Sequence, residues 1–324
     1  MTTPLAFFNG RFVPFAEAGL PLHDAGFVSG ATVVDNARTF RHTLFRWADH
    51  LARFRRDCAA CYVPLDATDA QLTAVAEELV AHNAKLLPAG GELQLVTFAT
   101  PGPLGFYVGG AENGPATLGM VTYPLPFVRY RGFFAEGARL AFAGWNPGHP
   151  GDLLPPTVKH RSRLVWHIAQ QSVSDPRSGV YCPGAVPLVL NYAGVGDTAI
   201  GSVLVVADGT VYRPPADATQ DSISAKVIGE LCAAAGVPFA EAAFDLSSPW
   251  RDRAHQQDAI VSRASELLLA GTGFCAAGVR ELVWHQQQRP FAWPGPVLCQ
   301  LLAAWSDLVG VDIARQFLDS EAGE

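Results

Sequence analysis

Residues 202–212 read Ser-Val-Leu-Val-Val-Ala-Asp-Gly-Thr-Val-Tyr, an apolar run that breaks at Asp208-Gly209 and resumes at Val211-Tyr212. Asp-Gly between two apolar runs signals a two-residue hairpin, because both turn positions favour residues that tolerate positive φ. Asn9-Gly10 repeats the signature near the start of the chain. Further strands are predicted over Val33–Phe40, Glu92–Thr97, Thr117–Tyr123, Ala138–Ala143, Leu188–Asn191 and Leu267–Ala270. Strands that come in hairpins rather than in regular βαβ alternation predict an α+β fold over a doubly wound parallel sheet.

Helical periodicity fills the gaps between these strands. One helix is expected over Ala48–Cys61. A second follows a capping-box pair, Thr68 and Gln71, carries Leu72, Val75 and Leu79, and frays near Lys85. A third is expected just after Lys159 with Leu164 and Ile168 turned inward, a fourth over Ile223–Ala235, and a closing helix around Pro296–Leu308. The Pro- and Gly-rich stretch from Pro124 to Gly137 is the expected boundary. It divides the chain into an N-terminal α/β domain over 1–127, a linker over 128–137 and a C-terminal domain over 138–324.

The chain has 324 residues, enough for two domains with cores of their own. Hydrophobic residues make up 49% and charged residues 16%, which excludes a disordered chain. Lys+Arg 23 against Asp+Glu 30 gives a net charge of −7, so a nucleic-acid partner is not expected. No apolar run reaches the roughly 18 residues that a membrane span needs, and no basic segment followed by an apolar run marks a secretory signal. The six cysteines form no pattern of zinc spacing, so no metal site is expected. Cys58 and Cys61 read as small core residues, and scattered cysteines fit a reducing cytoplasm. The run Gly271-Thr272-Gly273 lacks the third glycine of a dinucleotide fingerprint.

Lysine is scarce, with Lys85, Lys159 and Lys226 the only three. Lys85 ends a polar helix and Lys226 lies near a helix start, both ordinary places for a solvated charge. Lys159 follows Pro155-Pro156-Thr157-Val158 at a strand-like position flanked by apolar residues. A surface charge is one account of it. A Schiff-base nucleophile is the other, since a desolvated amine has a lowered pKa and becomes reactive.

In order along the chain, the landmarks are Asn9-Gly10, then Asp24, Gly26 and Gly30, then a strand, then His50-Leu51-Ala52-Arg53. Lys159, Asp197, Tyr212-Arg213-Pro214 and Ala264-Ser265-Glu266 through Gly271-Thr272 follow. In this set the chain resembles the class IV aminotransferases, the fold-type-IV pyridoxal-phosphate enzymes. That family includes branched-chain aminotransferases, D-amino acid aminotransferases and aminodeoxychorismate lyase. The resemblance runs from Phe8 to about Gly310. It implies a two-domain enzyme with its active site between the domains, a C-terminal domain that binds pyridoxal 5'-phosphate, small-molecule amino acid and 2-oxo acid substrates, and a homodimer.

The resemblance also implies roles. Lys159 would hold the cofactor through a Schiff base and shuttle a proton. Asp197 would pair with the protonated pyridine nitrogen, which keeps the ring an electron sink. Arg53, Ile223, Ser224 and Thr272 would bind the phosphate, Ile223 and Ser224 from a helix N-terminus suited to a dianion. Arg53 is expected to act through the cofactor and not through stability. Arg38 would receive a substrate carboxylate beside an apolar wall at Val33 and Val34. Taken singly, Arg38 equally suits a structural ion pair, Arg53 more often reads as a solvated charge or surface ion pair, Asp197 and Thr272 suit turns, and Ser224 suits a helix cap.

Several positions depart from the family pattern. Ser222-Ile223-Ser224-Ala225 stands where the family commonly has Gly-Ile-Thr-Arg, Asp197 replaces a glutamate, Ser202 an asparagine, and Val34-Asp35 a Phe/Tyr-Glu pair. The leading expectation is an aminotransferase. A lyase of the aminodeoxychorismate type stays open because Lys159-His160 followed by Arg163-Leu164 resembles that branch. A relative that binds the cofactor without turnover also stays open.

Overall fold

The computed structural model describes residues 3–145, 153–191, 194–250 and 259–320. It divides into two units, Met1–Leu125 with Val158–Arg163, and Pro126–Thr157 with Leu164–Glu324. The first unit carries strands β1 (Leu5–Phe8), β2 (Arg11–Pro14), β3 (Val33–Phe40), β4 (Thr43–Leu44), β5 (Leu93–Thr100) and β6 (Thr117–Pro124). Its helices are α1 (Ala25–Val28), α2 (Trp47–Ala60) and α3 (Asp69–Asn83). The strands form one antiparallel sheet in the order β2-β1-β6-β5-β3-β4. Asn9 and Gly10 both take positive φ, 47° and 83°, as a primed hairpin turn requires.

Side chains alternate across a strand, and this decides which face of the sheet is covered. Val33, Leu95, Ala99 and Met120 pack with Leu51, Phe54 and Cys58 of α2 and with Leu72 and Leu79 of α3. The capping box forms as expected: Thr68 Oγ1 accepts the Gln71 N–H at 3.3 Å, and Gln71 Oε1 accepts the Thr68 N–H at 2.8 Å. Cys58 is buried in this core and Cys61 half-buried. The opposite face holds a smaller cluster of Ala6, Val34, Val96 and Val121, with Phe15 and Phe98 against it. Gly26 is required by packing, since a Cβ there would come within 2.3 Å of Thr100 Cγ2.

The second unit contains α4 (Phe127–Ala135), β7 (Ala138–Trp145), α5 (Leu164–Ser174), β8 (Val186–Leu190), β9 (Gly196–Thr198), β10 (Ser202–Ala207) and β11 (Thr210–Arg213). It continues with α6 (Ile223–Ala235), β12 (Phe239–Glu241), α7 (Ala259–Ser262), β13 (Ala264–Gly271), β14 (Cys275–Trp284), β15 (Gln287–Pro290), α8 (Pro296–Val309) and α9 (Ile313–Leu318). The main sheet runs β12-β11-β10-β13-β14-β7-β8-β9, and β9 pairs back onto β10, closing a circuit. Asp197 opposite Ser202 is the closing pair. Every residue of β10 is buried, as its continuous apolar run requires.

Four expectations need correction. Residues 128–137 are not an open linker: Phe127–Ala135 forms α4, whose buried Tyr130 packs its ring on Phe274 at 5.1 Å. The third helix starts at Leu164 and not directly after Lys159, because 158–163 is used by the first unit. Its inward residues are Ala169 and Val173, while Leu164 and Ile168 are exposed, so the buried stripe is out of phase with the expected one. Finally, β7 pairs in parallel with β8 and β14, and β11 with β12. Helices α5 and α6 make the β7–β8 and β11–β12 crossovers, so hairpins are not the whole plan. Among the described residues no helix is long and apolar enough to cross a membrane.

Glu266, one of the sequence landmarks, has a structural job. It is 1% exposed, and its carboxylate accepts the N–H groups of Val297 and Leu298, both at 3.0 Å. That charge compensates unpaired donors at the start of α8. Glu266→Ala is expected to cost roughly 2–4 kcal/mol, since two buried donors lose their acceptor. Urea denaturation measures this, and a loss under about 0.5 kcal/mol, the range of an ordinary surface change, would contradict the assignment.

Candidate active site

Lys159 lies in the first unit on a short extended segment that adds to the beginning of β3. Val34 donates its N–H to the Lys159 carbonyl at 3.0 Å, and Arg161 donates its own to the Thr32 carbonyl at 2.8 Å. These two bonds frame the antiparallel bridge between Val33 and His160. In such a pairing, His160 shares the helix-covered face with Val33, while Lys159 and Arg161 share the opposite face with Val34 and Thr32. Lys159 is half-buried. Of the other lysines, Lys85 is exposed and Lys226 pairs with Asp221 at 3.3 Å on the surface.

Beneath this segment α2 presents His50, Arg53 and Asp57, spaced so that all three fall on its buried face. Arg53 donates Nε–H to Asp35 Oδ2 at 2.7 Å and Nη2–H to Oδ1 at 3.0 Å, a two-pronged pair. His50 Nδ1 lies 2.6 Å from the same Oδ1. Asp35, His50 and Arg53 are all buried. Burial by itself would raise the Asp35 carboxyl, but the charge of Arg53 and the ring of His50 outweigh it and hold its pKa well below the usual range. Burial pushes His50 below its ordinary value against the pull of Asp35, with Arg53 and Lys159 adding to the push. An ionised carboxylate only accepts, so at this contact His50 donates Nδ1–H to Asp35.

Asp57 is a group that the sequence reading missed. Its Oδ2 accepts the backbone N–H of Lys159 at 2.9 Å, and its Oδ1 accepts Arg56 Nη2–H at 2.8 Å. Burial pushes its carboxyl up, opposed by the Lys159 N–H and by Arg56. The signal lay in the spacing: an acid four residues beyond Arg53 falls on the same helix face. Arg38 is 1% exposed, with its guanidinium 3.9 Å from the Phe40 ring centre and its Nε–H donated to the Thr39 carbonyl.

The second unit holds the remaining candidates. Asp197 is half-buried on β9 and accepts the Thr198 N–H at 2.8 Å. Its partner Ser202 pairs in turn with Ala270, so the register brings Asp197 and Thr272, two residues past Ala270, to one end of the sheet. Gly194 precedes them with φ at +80°, where a Cβ would overlap Asp245. Ile223 and Ser224 form the first turn of α6, which packs on β13. Ser222 caps this helix, accepting the Ala225 N–H at 3.2 Å. The N–H groups of Ile223 and Ser224 precede the helix's own hydrogen-bond ladder. Among the described residues nothing hydrogen-bonds the Ser224 or Thr272 side chains. The two helix-terminal N–H groups and the Ser224 and Thr272 hydroxyls are donors of the kind that fit a phosphate dianion.

The buried pair changes what Arg53 is expected to do. Removing its guanidinium leaves Asp35 charged and buried with only His50 beside it, so Arg53→Ala is expected to cost about 3–5 kcal/mol of stability even without ligand. The double variant Asp35→Asn with Arg53→Met removes both charges and is expected to recover more than half of that loss. Chemical denaturation of the variants checks this. An unchanged midpoint in Arg53→Ala would restore the expectation that this arginine acts through the cofactor alone.

Comparison with solved structures finds the same fold at low identity. A branched-chain amino acid aminotransferase from Escherichia coli matches at 16% identity and TM-score 0.75, covering 95% of each chain. A branched-chain aminotransferase from the thermophilic archaeon Thermoproteus uzoniensis, solved with norvaline, matches at 17% and 0.71 with the same coverage. A 4-amino-4-deoxychorismate lyase from Pseudomonas aeruginosa matches at 23% and 0.66, covering 94% of this chain and 98% of the other. No curated sequence matches at significant similarity. The family model for amino-transferase class IV matches residues 32–282. That match spans more than three quarters of the chain, from the β3 entry through β14, and the protein therefore belongs to the class IV aminotransferase family, with the α+β fold of fold-type-IV pyridoxal-phosphate enzymes.

Proposed function

We propose that the protein is a pyridoxal 5'-phosphate-dependent aminotransferase that moves an amino group between an amino acid and a 2-oxo acid. The observation that carries this reading is the position of Lys159, fixed by its carbonyl on the Val34 N–H, by its own N–H on the Asp57 carboxylate and by the next bond from Arg161 to Thr32, in a chain of this family. When bound, the cofactor supplies an electron sink for charge developing at the substrate's Cα. Lys159 provides the amine that attaches it and moves the proton at Cα. Asp197 holds the proton at the pyridine nitrogen. Ser224, Thr272 and the N–H groups of Ile223 and Ser224 bind the phosphate, and Arg53, oriented by Asp35, is a further phosphate contact. The assembly proposed with this role is a homodimer.

A lyase of the aminodeoxychorismate type is the second reading, favoured by Lys159-His160 followed by Arg163-Leu164. It uses the same attachment at Lys159 and differs in needing no 2-oxo acid acceptor.

Borohydride reduction in the presence of pyridoxal 5'-phosphate, followed by peptide mapping, tests the attachment. The pyridoxyl group is expected on the peptide carrying Lys159, and Lys159→Ala is expected to fold yet show no turnover. A label on Lys85 or Lys226, or none at all, contradicts both readings. Turnover that requires a 2-oxo acid acceptor supports the aminotransferase, and acceptor-independent turnover supports the lyase.

A further inference from the structure

The first unit contains a cavity of about 520 Å³ on the sheet face turned away from α2 and α3. Its floor is Val96, Phe98 and Val121, and its walls include Phe8, Phe15 and Tyr123. The rings are held in place: Phe8 lies 6.4 Å from Phe98, and Phe15 meets Tyr123 edge-on at 5.7 Å. This volume lies within the range of small-molecule sites, and the lining is mainly apolar with a few polar groups. The cationic group at its edge is Arg161.

Arg161 has no ion-pair or side-chain hydrogen-bond partner among the described residues. It keeps an exposed surface, yet the protein atoms around it draw its pKa below the ordinary value by desolvation, with the nearby Tyr123 phenol opposing. Its guanidinium donors are thus uncommitted at the cavity and suited in geometry to take a carboxylate from a ligand. Arg38 is buried over Phe40 and offers no comparable exposed surface. Strand alternation puts Arg161 on the same face as Lys159, with Cα atoms two residues apart separated by about 7 Å.

We propose that this cavity binds the side arm of the amino substrate, and that Arg161 anchors a carboxylate carried on an aromatic frame. The proposal rests on the reaction given above only in naming the occupant a substrate. Aromatic walls select a flat apolar body, and the planar fork of the guanidinium selects a carboxylate over a neutral group of the same shape. Arg161 is thus a specificity residue that touches the substrate's far end, while Lys159 serves its amine.

Calorimetric titration of the full-length protein with 3-phenylpropanoate and with 3-phenylpropanamide tests this directly. The wild type is expected to bind the carboxylate at least about tenfold more tightly than the amide. Arg161→Gln is expected to bring the carboxylate down to the amide's affinity, and Arg161→Lys to keep part of the preference. Ala18→Trp, which fills the cavity from its rim, is expected to weaken both probes about tenfold. Equal affinities in the wild type, a preference that survives Arg161→Gln, or indifference to Ala18→Trp would overturn the proposal. Lys159→Ala separates the two ideas, since it is expected to keep the carboxylate preference. A carboxylate preference with no pyridoxyl label on Lys159 refutes the reaction and leaves the cavity site standing. A labelled Lys159 with no such preference refutes the cavity site alone.

Discussion

The buried carboxylate of Asp35, gripped by Arg53 on one side and His50 on the other, joins strand β3 of the first unit to helix α2. Two strong constraints meet there. A buried charge is expensive unless paired, and a two-pronged arginine pair fixes distance and orientation together. One helical turn further on, Asp57 uses the same helix face to hold the backbone of Lys159. Strand β3, helix α2 and the segment 158–163 therefore share one polar framework, and the amine inherits its position from it. A hydrophobic contact could bury the same area without fixing where that backbone runs.

Much of the fold was legible because local chemistry and the final structure agree. The Asn9-Gly10 and Asp208-Gly209 turns, the Thr68–Gln71 box and the helix at Ile223–Ala235 each carry their own signal and form where expected. Part of what made the chain resemble its family is structural and not chemical. Asp24 is fully buried and ties α1 to Thr117, Gly26 leaves room for Thr100, and Glu266 anchors α8. What stayed hidden depends on tertiary pairing. Strand β14 begins Cys275-Ala276-Ala277-Gly278, residues with little strand preference, and exists because β13 and β7 flank it. Helix α4 was masked by the prolines and glycines around it. The segment 158–163 is extended only because β3 offers it a partner, and with it went the significance of Asp57 and Arg161.

The departures from the family pattern acquire physical meaning at the start of α6. Ser222, where a glycine is usual, supplies a side-chain cap that glycine cannot provide. Ser224 keeps a hydroxyl in place of threonine, and Ala225 gives up an arginine. In the proposed phosphate site this would remove a cation and keep neutral donors, leaving more of the work to the helix terminus and to Thr272. Asp197, one methylene short, sits at the pair that closes the strand circuit, behind a glycine at +80° that no side chain could replace without meeting Asp245.

Amide hydrogen exchange in Asp57→Ala measures most directly whether the buried polar framework positions the amine-bearing strand. The Asp57 carboxylate accepts the Lys159 N–H in the wild type, so that amide and its neighbours through Arg161 should be protected there. In the variant they are expected to exchange faster by an order of magnitude or more, as a lost charge-assisted bond of about 1.5–3 kcal/mol implies, while β5 and β6 keep their wild-type protection. Unchanged protection over 158–163, or a loss spread evenly across the whole sheet, would contradict a framework that acts on this strand.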